Sequence, residues 1–159
     1  MDEEGLLLVT TGTDGKPDVM TIGWGTIGSI WARPMFVVLV RHSRYSFSLM
    51  EQVSDFTVNV LPRELAAAAS LCGTVSGREH DKFQEAHLTP VPSREVRSPI
   101  IKECVVRYPM HWCRACVSSS SKKGDFHRIY FGEIVASYAD EDATRRLSVQ
   151  GQGSPTSLP

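Results

Sequence analysis

Residues 35–41, MFVVLVR, form an almost continuous apolar run that follows Pro34 and closes with Arg41. Its length and its valine and phenylalanine content are typical of a β-strand that is buried on both faces. The preceding Arg33-Pro34 interrupts the pattern, because proline lacks a backbone donor and restricts the residue before it. The run therefore predicts a β-strand at residues 35–41 that begins after this interruption.

Upstream of this strand, the sequence combines strand composition with turn signals. Residues 6–10 are a short apolar run, and the Asp14-Gly15 pair that follows, with Lys16-Pro17, is typical of a hairpin turn. Residues 18–30 are rich in β-branched and aromatic types but contain several glycines. Glycines inside a strand indicate a bulge or the close approach of another group.

Downstream, short helical and strand patterns follow one another irregularly. Residues 43–53 have helical spacing, and Ser43 is a candidate N-cap. The other predicted elements are a strand at 56–61, an Ala-rich helix at 63–71, a short helix at 80–87, a loop at 89–99, and two strands at 100–117 and 126–139 joined by a polar turn.

About six strands and two or three short helices without regular alternation do not suit a doubly wound parallel sheet. They predict a mainly β fold with short helices, a mostly antiparallel barrel with the helices packed outside. A length of 159 residues suits one domain. We expect that domain at residues 1–140, followed by a polar, poorly ordered tail at 141–159.

The composition excludes several classes of function. The chain is 42% hydrophobic and 22% charged, and its 17 basic and 18 acidic residues give a formal charge of −1. Nothing in this balance favours nucleic acid or an anionic membrane as a partner. The longest apolar run is shorter than the roughly 18 residues of a membrane span. Because the start, MDEEGLLLVTTG, is acidic and unlike a signal peptide, we expect a cytoplasmic protein.

The cysteines give a weak signal. Cys113 and Cys116 form a lone CxxC, whereas a structural zinc site usually needs a second pair of ligands. His111 and His127 do not complete a familiar zinc spacing. We therefore expect ordinary thiols and no metal, with a metal or redox site at the CxxC as the alternative.

Four motifs together resemble the flavin reductase-like family, which includes the flavoredoxins. They occur in the expected order and spacing over about residues 6–139. The motifs are PDVMTIGWG at 17–25, RHSRYS at 41–46 followed by FTVNV at 56–60, CGTVSG at 72–77 followed by DKF at 81–83, and HRIYFGEI at 127–134.

The resemblance implies an FMN-binding split β-barrel that acts as a homodimer, with FMN near the subunit interface. It also implies a flavoprotein oxidoreductase that passes electrons from NADH or NADPH, or from an electron-transfer partner protein, to flavin or another acceptor. The alternatives on the same fold are a flavoredoxin-like electron carrier without its own turnover and a non-catalytic FMN-binding or interaction module. The polar end of the chain stands where the family has an aromatic-bearing segment, which implies a more open pocket.

The first motif is matched to the flavin ring. The resemblance makes Asp18, Met20, Thr21 and Trp24 cofactor contacts, in which the Thr21 hydroxyl donates to the flavin edge and Trp24 walls the pocket. The family commonly has Asn at the position of Asp18, and an ionised Asp cannot donate and repels a reduced flavin. The alternative is a core strand with a buried Trp24.

The second and third motifs are matched to the FMN phosphate, which needs hydrogen-bond donors and a cation. Arg41, Ser43 and Ser46 stand where a buried strand meets a helix start, which suits a phosphate. Ser76, Gly77 and Lys82 lie on the loop before the next helix, where the glycine lets the loop approach a ligand and Lys82 could reach the phosphate or the ring edge. The alternatives are an ordinary helix cap with a solvated Arg41, and a solvated Lys82 that pairs with Asp81.

The fourth motif begins with His127, the candidate catalytic residue. A histidine there could donate to the flavin or relay a proton near neutral pH; the alternative is a strand-end residue that faces water. Tyr130-Phe131 and the apolar run at 35–40 offer more apolar surface than one small barrel readily encloses. This surplus favours the homodimer.

Overall fold

The computed structural model describes residues 5–113, 118–120 and 126–147. Short strands and short helices make up this part of the chain. The strands are β1 Leu6–Thr11, β2 Pro17–Thr21, β3 Gly25–Ile30, β4 Arg33–Arg41, β5 Asp55–Val60, β6 Pro90–Val91, β7 Ile100–Ile101, β8 Val106–Cys113, β9 Ser118–Ser120, β10 Phe126–Ile134 and β11 Tyr138–Ala139. The helices are α1 Tyr45–Met50, α2 Ala66–Thr74 after a 3-10 turn at Arg63–Leu65, α3 Lys82–Glu85 and α4 Ala143–Leu147.

The main sheet is antiparallel, and its strands lie in the order β2-β1-β5-β8-β10-β4-β3. β9 pairs with β10, β11 pairs with β8, and β6 and β7 form a separate pair. The two ends of this order, β2 and β3, are consecutive in the chain, so the chain connects the two edges of the sheet directly. The prediction of a mainly β, antiparallel fold with short helices is confirmed.

The apolar run at 35–41 forms most of β4, which lies between β10 and β3. Phe36, Val38 and Val40 are buried in the core, whereas Val37 and Leu39 on the other face are only half-buried. The prediction of a strand over this run is therefore confirmed. The prediction of full burial on both faces is wrong at Val37 and Leu39, although Met35 on that same face is 1% exposed.

The interior contains two apolar clusters. One lies inside the curved sheet, and Val38, Phe56 and Tyr130 belong to it. The other lies between the sheet and helices α2 and α3, and it includes Cys72 and Cys104. Both of these thiols are buried and free. The side chain of Cys113, at the end of β8, and the whole of Cys116 lie outside the described residues, so the CxxC interpretation stays a prediction.

Three local expectations differ from the structure. Helix α1 begins after Arg44, and no side chain caps it, so Ser43 is not its N-cap. The loop predicted at 89–99 contains the two-residue strand β6, which pairs with β7. The predicted polar tail begins with helix α4, where Arg146 forms an ion pair with Glu64 at 2.7 Å. None of the helices in the described segments is long and apolar enough to span a bilayer.

The surplus apolar surface lies on β3 and its flanks, not where the sequence placed it. Met35 and Tyr130 are buried within the single chain, at 1% exposure each. By contrast Trp24, Ile27 and Trp31 are more than half exposed. Residues 25–29 of β3 are exposed throughout, and β3 is an edge strand.

Candidate functional site

A cavity of about 160 Å³ opens between the start of α1, the loop after α2 and helix α3. β4 delivers Arg41 to its rim, and the following turn into α1 supplies the next lining residues. The lining residues are Met20, Arg41, Ser43, Arg44, Tyr45, Ser46, Thr74, Val75, Ser76, Gly77 and Lys82. Six residues predicted from separate motifs thus meet in one place: Met20, Arg41, Ser43, Ser46, Ser76 and Lys82.

The lining of this cavity is cationic. Arg41, Arg44 and Lys82 all contribute to it, and its described lining contains no Asp or Glu. Ser43 and Ser76, which carry hydroxyl groups, also line the cavity. Guanidinium, ammonium and hydroxyl donors together favour an anion with several acceptor oxygens, such as a phosphate.

A buried ion pair lies directly behind the lining. The Nζ atom of Lys82 is 3.0 Å from Oδ1 of Asp18, and the two side chains are 4% and 5% exposed. The hydroxyl of Ser46 donates to the other oxygen of the same carboxylate. The alternative that Lys82 is solvated and pairs with Asp81 is wrong, since Asp81 instead accepts from the backbone N–H of Gln84 and caps α3.

The loop after α2 is held closely against this ion pair. A Cβ atom added at Gly77 would lie 2.1 Å from Oδ1 of Asp18, a distance that only glycine avoids. Nη1 of Arg44 donates to the carbonyl of Gly73 at 2.8 Å. The guanidinium of Arg78 lies 5.2 Å above the ring of Tyr45. These contacts from both sides fix the width of the cavity.

A second row of contacts joins the cavity to an exposed aromatic ring. Nε of Arg41 donates to Nε2 of His127 at 3.2 Å. The imidazole of His127, 9% exposed, lies 4.9 Å from the ring of Trp24, which is 54% exposed. His127 is therefore not a strand-end residue that faces water, and Trp24 is not a buried core residue. The structure places Trp24 beside the cavity without making it part of the lining.

Thr21 does not take the place that the sequence assigned to it. Its hydroxyl donates to the carbonyl of Ala69 in α2 at 2.5 Å. A threonine hydroxyl has a single proton, so that proton is directed at the helix and not at a ligand. The carboxylate of Asp18 is engaged by Lys82 and Ser46, and its expected contact with the flavin stays a prediction.

Four lining residues were not named as candidates from the sequence: Arg44, Tyr45, Thr74 and Val75. All of them lie inside the motifs at 41–46 and 72–77, so the motif boundaries contained the signal. The motifs did not indicate which of these residues line the cavity. That depends on how the start of α1 packs against the loop after α2, which is a tertiary contact.

The comparison with known families matches the flavin reductase like domain to residues 3–156. The chain belongs to this family. A protein of Archaeoglobus fulgidus, described as uncharacterized, is 34% identical over 128 residues, which is 80% of this chain and 68% of that one.

Solved structures agree on the fold. The flavoredoxin of Desulfovibrio vulgaris (Miyazaki F) is similar with a TM-score of 0.76 and 25% identity, over 88% of this chain and 71% of that one. A split barrel domain from Shewanella frigidimarina is similar with a TM-score of 0.73 and 19% identity, over 89% and 69% of the two chains. The fold is therefore the split β-barrel of the flavin reductases.

The described residues fit one end of a flavin nucleotide. The cationic cavity is smaller than the roughly 300–1,000 Å³ of sites that enclose a whole drug-sized ligand. It suits a phosphate group, whereas the exposed ring of the nearby Trp24 offers apolar surface for a flavin ring outside the cavity.

Proposed function

We propose that this chain is an FMN-binding flavoprotein oxidoreductase of the flavin reductase type. The observation that carries this proposal is the cavity in which Arg41, Arg44 and Lys82 converge. Membership of the flavin reductase like domain family supports it. The donor would be NADH or NADPH, or an electron-transfer partner protein, and the acceptor flavin or another compound.

In this proposal the protein binds and orients the cofactor. Arg41 is the main phosphate ligand, because its guanidinium can donate two parallel hydrogen bonds. Ser43 and Ser76 add hydroxyl donors, and Met20 and Trp24 contact the ring. A bound flavin supplies the redox chemistry, since it accepts and passes on electrons.

His127 acts in this proposal by positioning Arg41. Its Nε2 atom accepts from Nε of Arg41, so this nitrogen does not carry a proton in that contact. The hydrogen bond fixes the plane of the guanidinium, while the imidazole ring packs against the ring of Trp24. A proton relay, one of the two roles that the sequence suggested for His127, would have to use the other ring nitrogen.

A flavoredoxin-like electron carrier is the second candidate. The similarity to the Desulfovibrio vulgaris flavoredoxin, at 25% identity over most of this chain, favours it. The two candidates share the cofactor and differ in turnover. A third candidate on the same fold is a module that binds FMN and transfers no electrons to any acceptor.

We also propose that the functional unit is a homodimer with FMN near the interface. The exposed edge strand β3 and the exposed side chains Trp24, Ile27 and Trp31 support it. Apolar surface of this kind on an edge strand is usually covered by another chain. Trp24 is both beside the cavity and in this exposed group, so the partner would approach the cofactor.

The test begins with the absorption spectrum of the purified protein and with FMN titration of the apo form. Flavin bands, or saturable FMN binding, are expected. Steady-state oxidation of NADH or NADPH with free FMN then separates a reductase from a carrier. Absence of any flavin binding by the folded protein would overturn the proposal.

A further inference from the structure

We propose that the buried carboxylate of Asp18 lowers the affinity of this cavity for a phosphate group. A bound flavin nucleotide can therefore dissociate and exchange with free flavin nucleotide. This inference rests on the proposed function, because it concerns the phosphate of FMN. The observation that carries it is a contact pattern: one carboxylate engages two of the side chains that line the cavity, Lys82 and Ser46.

The first effect is on the charge of Lys82. Its ammonium group is the most deeply buried cation of the lining, and Asp18 neutralises it at 3.0 Å. Both side chains are at least 95% buried, so water and salt screen their field much less than at the surface. An anion that reaches Lys82 therefore also meets the negative charge of Asp18.

The second effect is on the hydroxyl of Ser46. A serine has one proton to donate, and here that proton is directed at Oδ2 of Asp18. Ser46 thus presents lone pairs and not a donor to the cavity. A phosphate oxygen would be repelled by those lone pairs, so Ser46 is not a phosphate donor while Asp18 is ionised.

The carboxylate cannot move away from these partners. Asp18 lies in β2, opposite Thr10 of β1. The backbone of Gly77 packs so closely on the carboxylate that a Cβ there would lie 2.1 Å from Oδ1, the oxygen that Lys82 contacts. The charge is therefore a fixed part of the cavity, and its effect on an anion is built into the fold.

Asp18→Asn removes the charge and keeps the shape. The amide oxygen of the asparagine can still accept from Lys82. Its NH2 group would donate to the hydroxyl oxygen of Ser46, which leaves the serine proton available to a ligand. The apo variant would have an unpaired buried ammonium, which is costly. A bound phosphate would compensate it, so the same change that destabilises the apo protein strengthens binding of the phosphate.

The experiment measures FMN and riboflavin dissociation constants for the wild-type apo protein and for Asp18→Asn at fixed salt. We expect FMN to bind at least tenfold more tightly to the variant and riboflavin to change by less than threefold. The apo variant should melt at a lower temperature, and FMN should raise that temperature more than in the wild type. Inorganic phosphate, used as a competitor of FMN, should inhibit more strongly in the variant.

Two further variants complete the test. Asp55→Asn, at a second buried aspartate that accepts from the backbone of Ser98, should leave both flavin affinities unchanged. Ser46→Ala should change FMN affinity by less than threefold, and it tests the inference even where Asp18→Asn does not fold.

Weaker or unchanged FMN binding by Asp18→Asn, or a tenfold loss of FMN affinity in Ser46→Ala, would overturn the inference. If the wild type still binds FMN in that case, the proposed function is unaffected. A folded wild-type protein that binds neither flavin would overturn the proposed function itself.

Discussion

The Nζ atom of Lys82 lies 3.0 Å from Oδ1 of Asp18, and this buried pair joins strand β2 to helix α3 behind the candidate site. The two residues come from separate motifs of the sequence. Lys82 is the only cationic residue within Lys82–Glu85 of α3. Asp18, a strand residue near the start of the chain, thereby fixes the position of this lysine's ammonium group. The geometry of the cavity is therefore shared between the barrel and the short helices outside it.

Arg41→Ala tests the phosphate end of the cavity. A charge-assisted hydrogen bond contributes about 1.5–3 kcal/mol, so we expect FMN to bind at least about tenfold more weakly. Riboflavin, which has no phosphate, should lose less than threefold. Fluorescence titration of the apo protein with each flavin measures both constants.

The matched control for this substitution is Arg33→Ala. Arg33 is an exposed arginine at the other end of the same strand, where it pairs with Glu133 at 2.7 Å. Its loss should change neither flavin affinity. Equal losses for FMN and riboflavin in Arg41→Ala would show that Arg41 does not bind the phosphate.

Gly77→Ala tests the close packing of the loop on Asp18. The added Cβ would lie 2.1 Å from Oδ1 of Asp18 and 2.8 Å from Cδ1 of Tyr45. Overpacking of this kind costs about 1–3 kcal/mol, so we expect the melting temperature of the apo protein to fall by at least about 3 °C. FMN affinity should fall as well, because the loop must move.

Gly23→Ala serves as the comparison, since a Cβ at that exposed position meets no atom within 4 Å. The melting temperature of this apo variant should stay within about 2 °C of the wild type, as for most surface substitutions. A Gly77→Ala protein as stable as Gly23→Ala would mean that the loop does not lie against Asp18.

The fold could be predicted further than the site. The continuous apolar run at 35–41 and the turn residues at 14–17 depend on local chemistry, and both predict elements that the structure contains. Helix α4 was missed because its packing depends on Arg146 reaching Glu64, a contact between residues 82 positions apart. A polar composition carries no sign of such a long-range contact.

At the site, the motifs predicted which segments converge but not which atoms engage one another. Asp81 is the sequence neighbour of Lys82, yet the partner of Lys82 is Asp18. Thr21 has a hydroxyl in a matching motif, yet that hydroxyl donates to Ala69. In both cases the tertiary packing of α2 and α3 on β2 decides the hydrogen bond, and a one-dimensional pattern does not record that packing.

The buried thiols predict a pH dependence of stability. Burial raises the pKa of Cys72 to about 11 and that of Cys104 to about 12, whereas a thiol in the unfolded chain has a pKa of about 8.5. Above about pH 8.5 the unfolded state loses protons that the folded state keeps, so the free energy of unfolding falls as pH rises. The loss continues up to the folded-state pKa values.

Urea denaturation at pH 8 and pH 10 measures this effect. The protein with Cys72→Ala and Cys104→Ala should lose less stability between the two pH values than the parent, by at least about 1 kcal/mol. The constant cost of the two cavities cancels in this comparison. Identical pH dependences would show that neither thiol has a raised pKa.

The CxxC is tested by replacing Cys113 and Cys116 with Ser. We expect the flavin content of the purified protein to stay unchanged and no zinc to copurify with the parent, because we interpret these residues as ordinary thiols. Metal analysis and the flavin absorbance per chain are the two measurements. One zinc per chain, or lost electron transfer in a folded variant, would contradict this interpretation.

The last prediction concerns assembly. Trp31 is 68% exposed at the β3–β4 turn, where it and Ala32 have positive φ angles of 53° and 58°. Such a conformation is unfavourable for residues with side chains, which is consistent with a functional reason to present Trp31. Light scattering should give twice 17.6 kDa for the wild type. Ile27→Ser combined with Trp31→Ser should shift the mass toward one chain and weaken FMN binding. Lys16→Ala, in the exposed β1–β2 turn, is the control and should stay dimeric. A wild-type protein that is monomeric at micromolar concentration and still holds FMN would refute the shared interface and leave the cavity as a site within one chain.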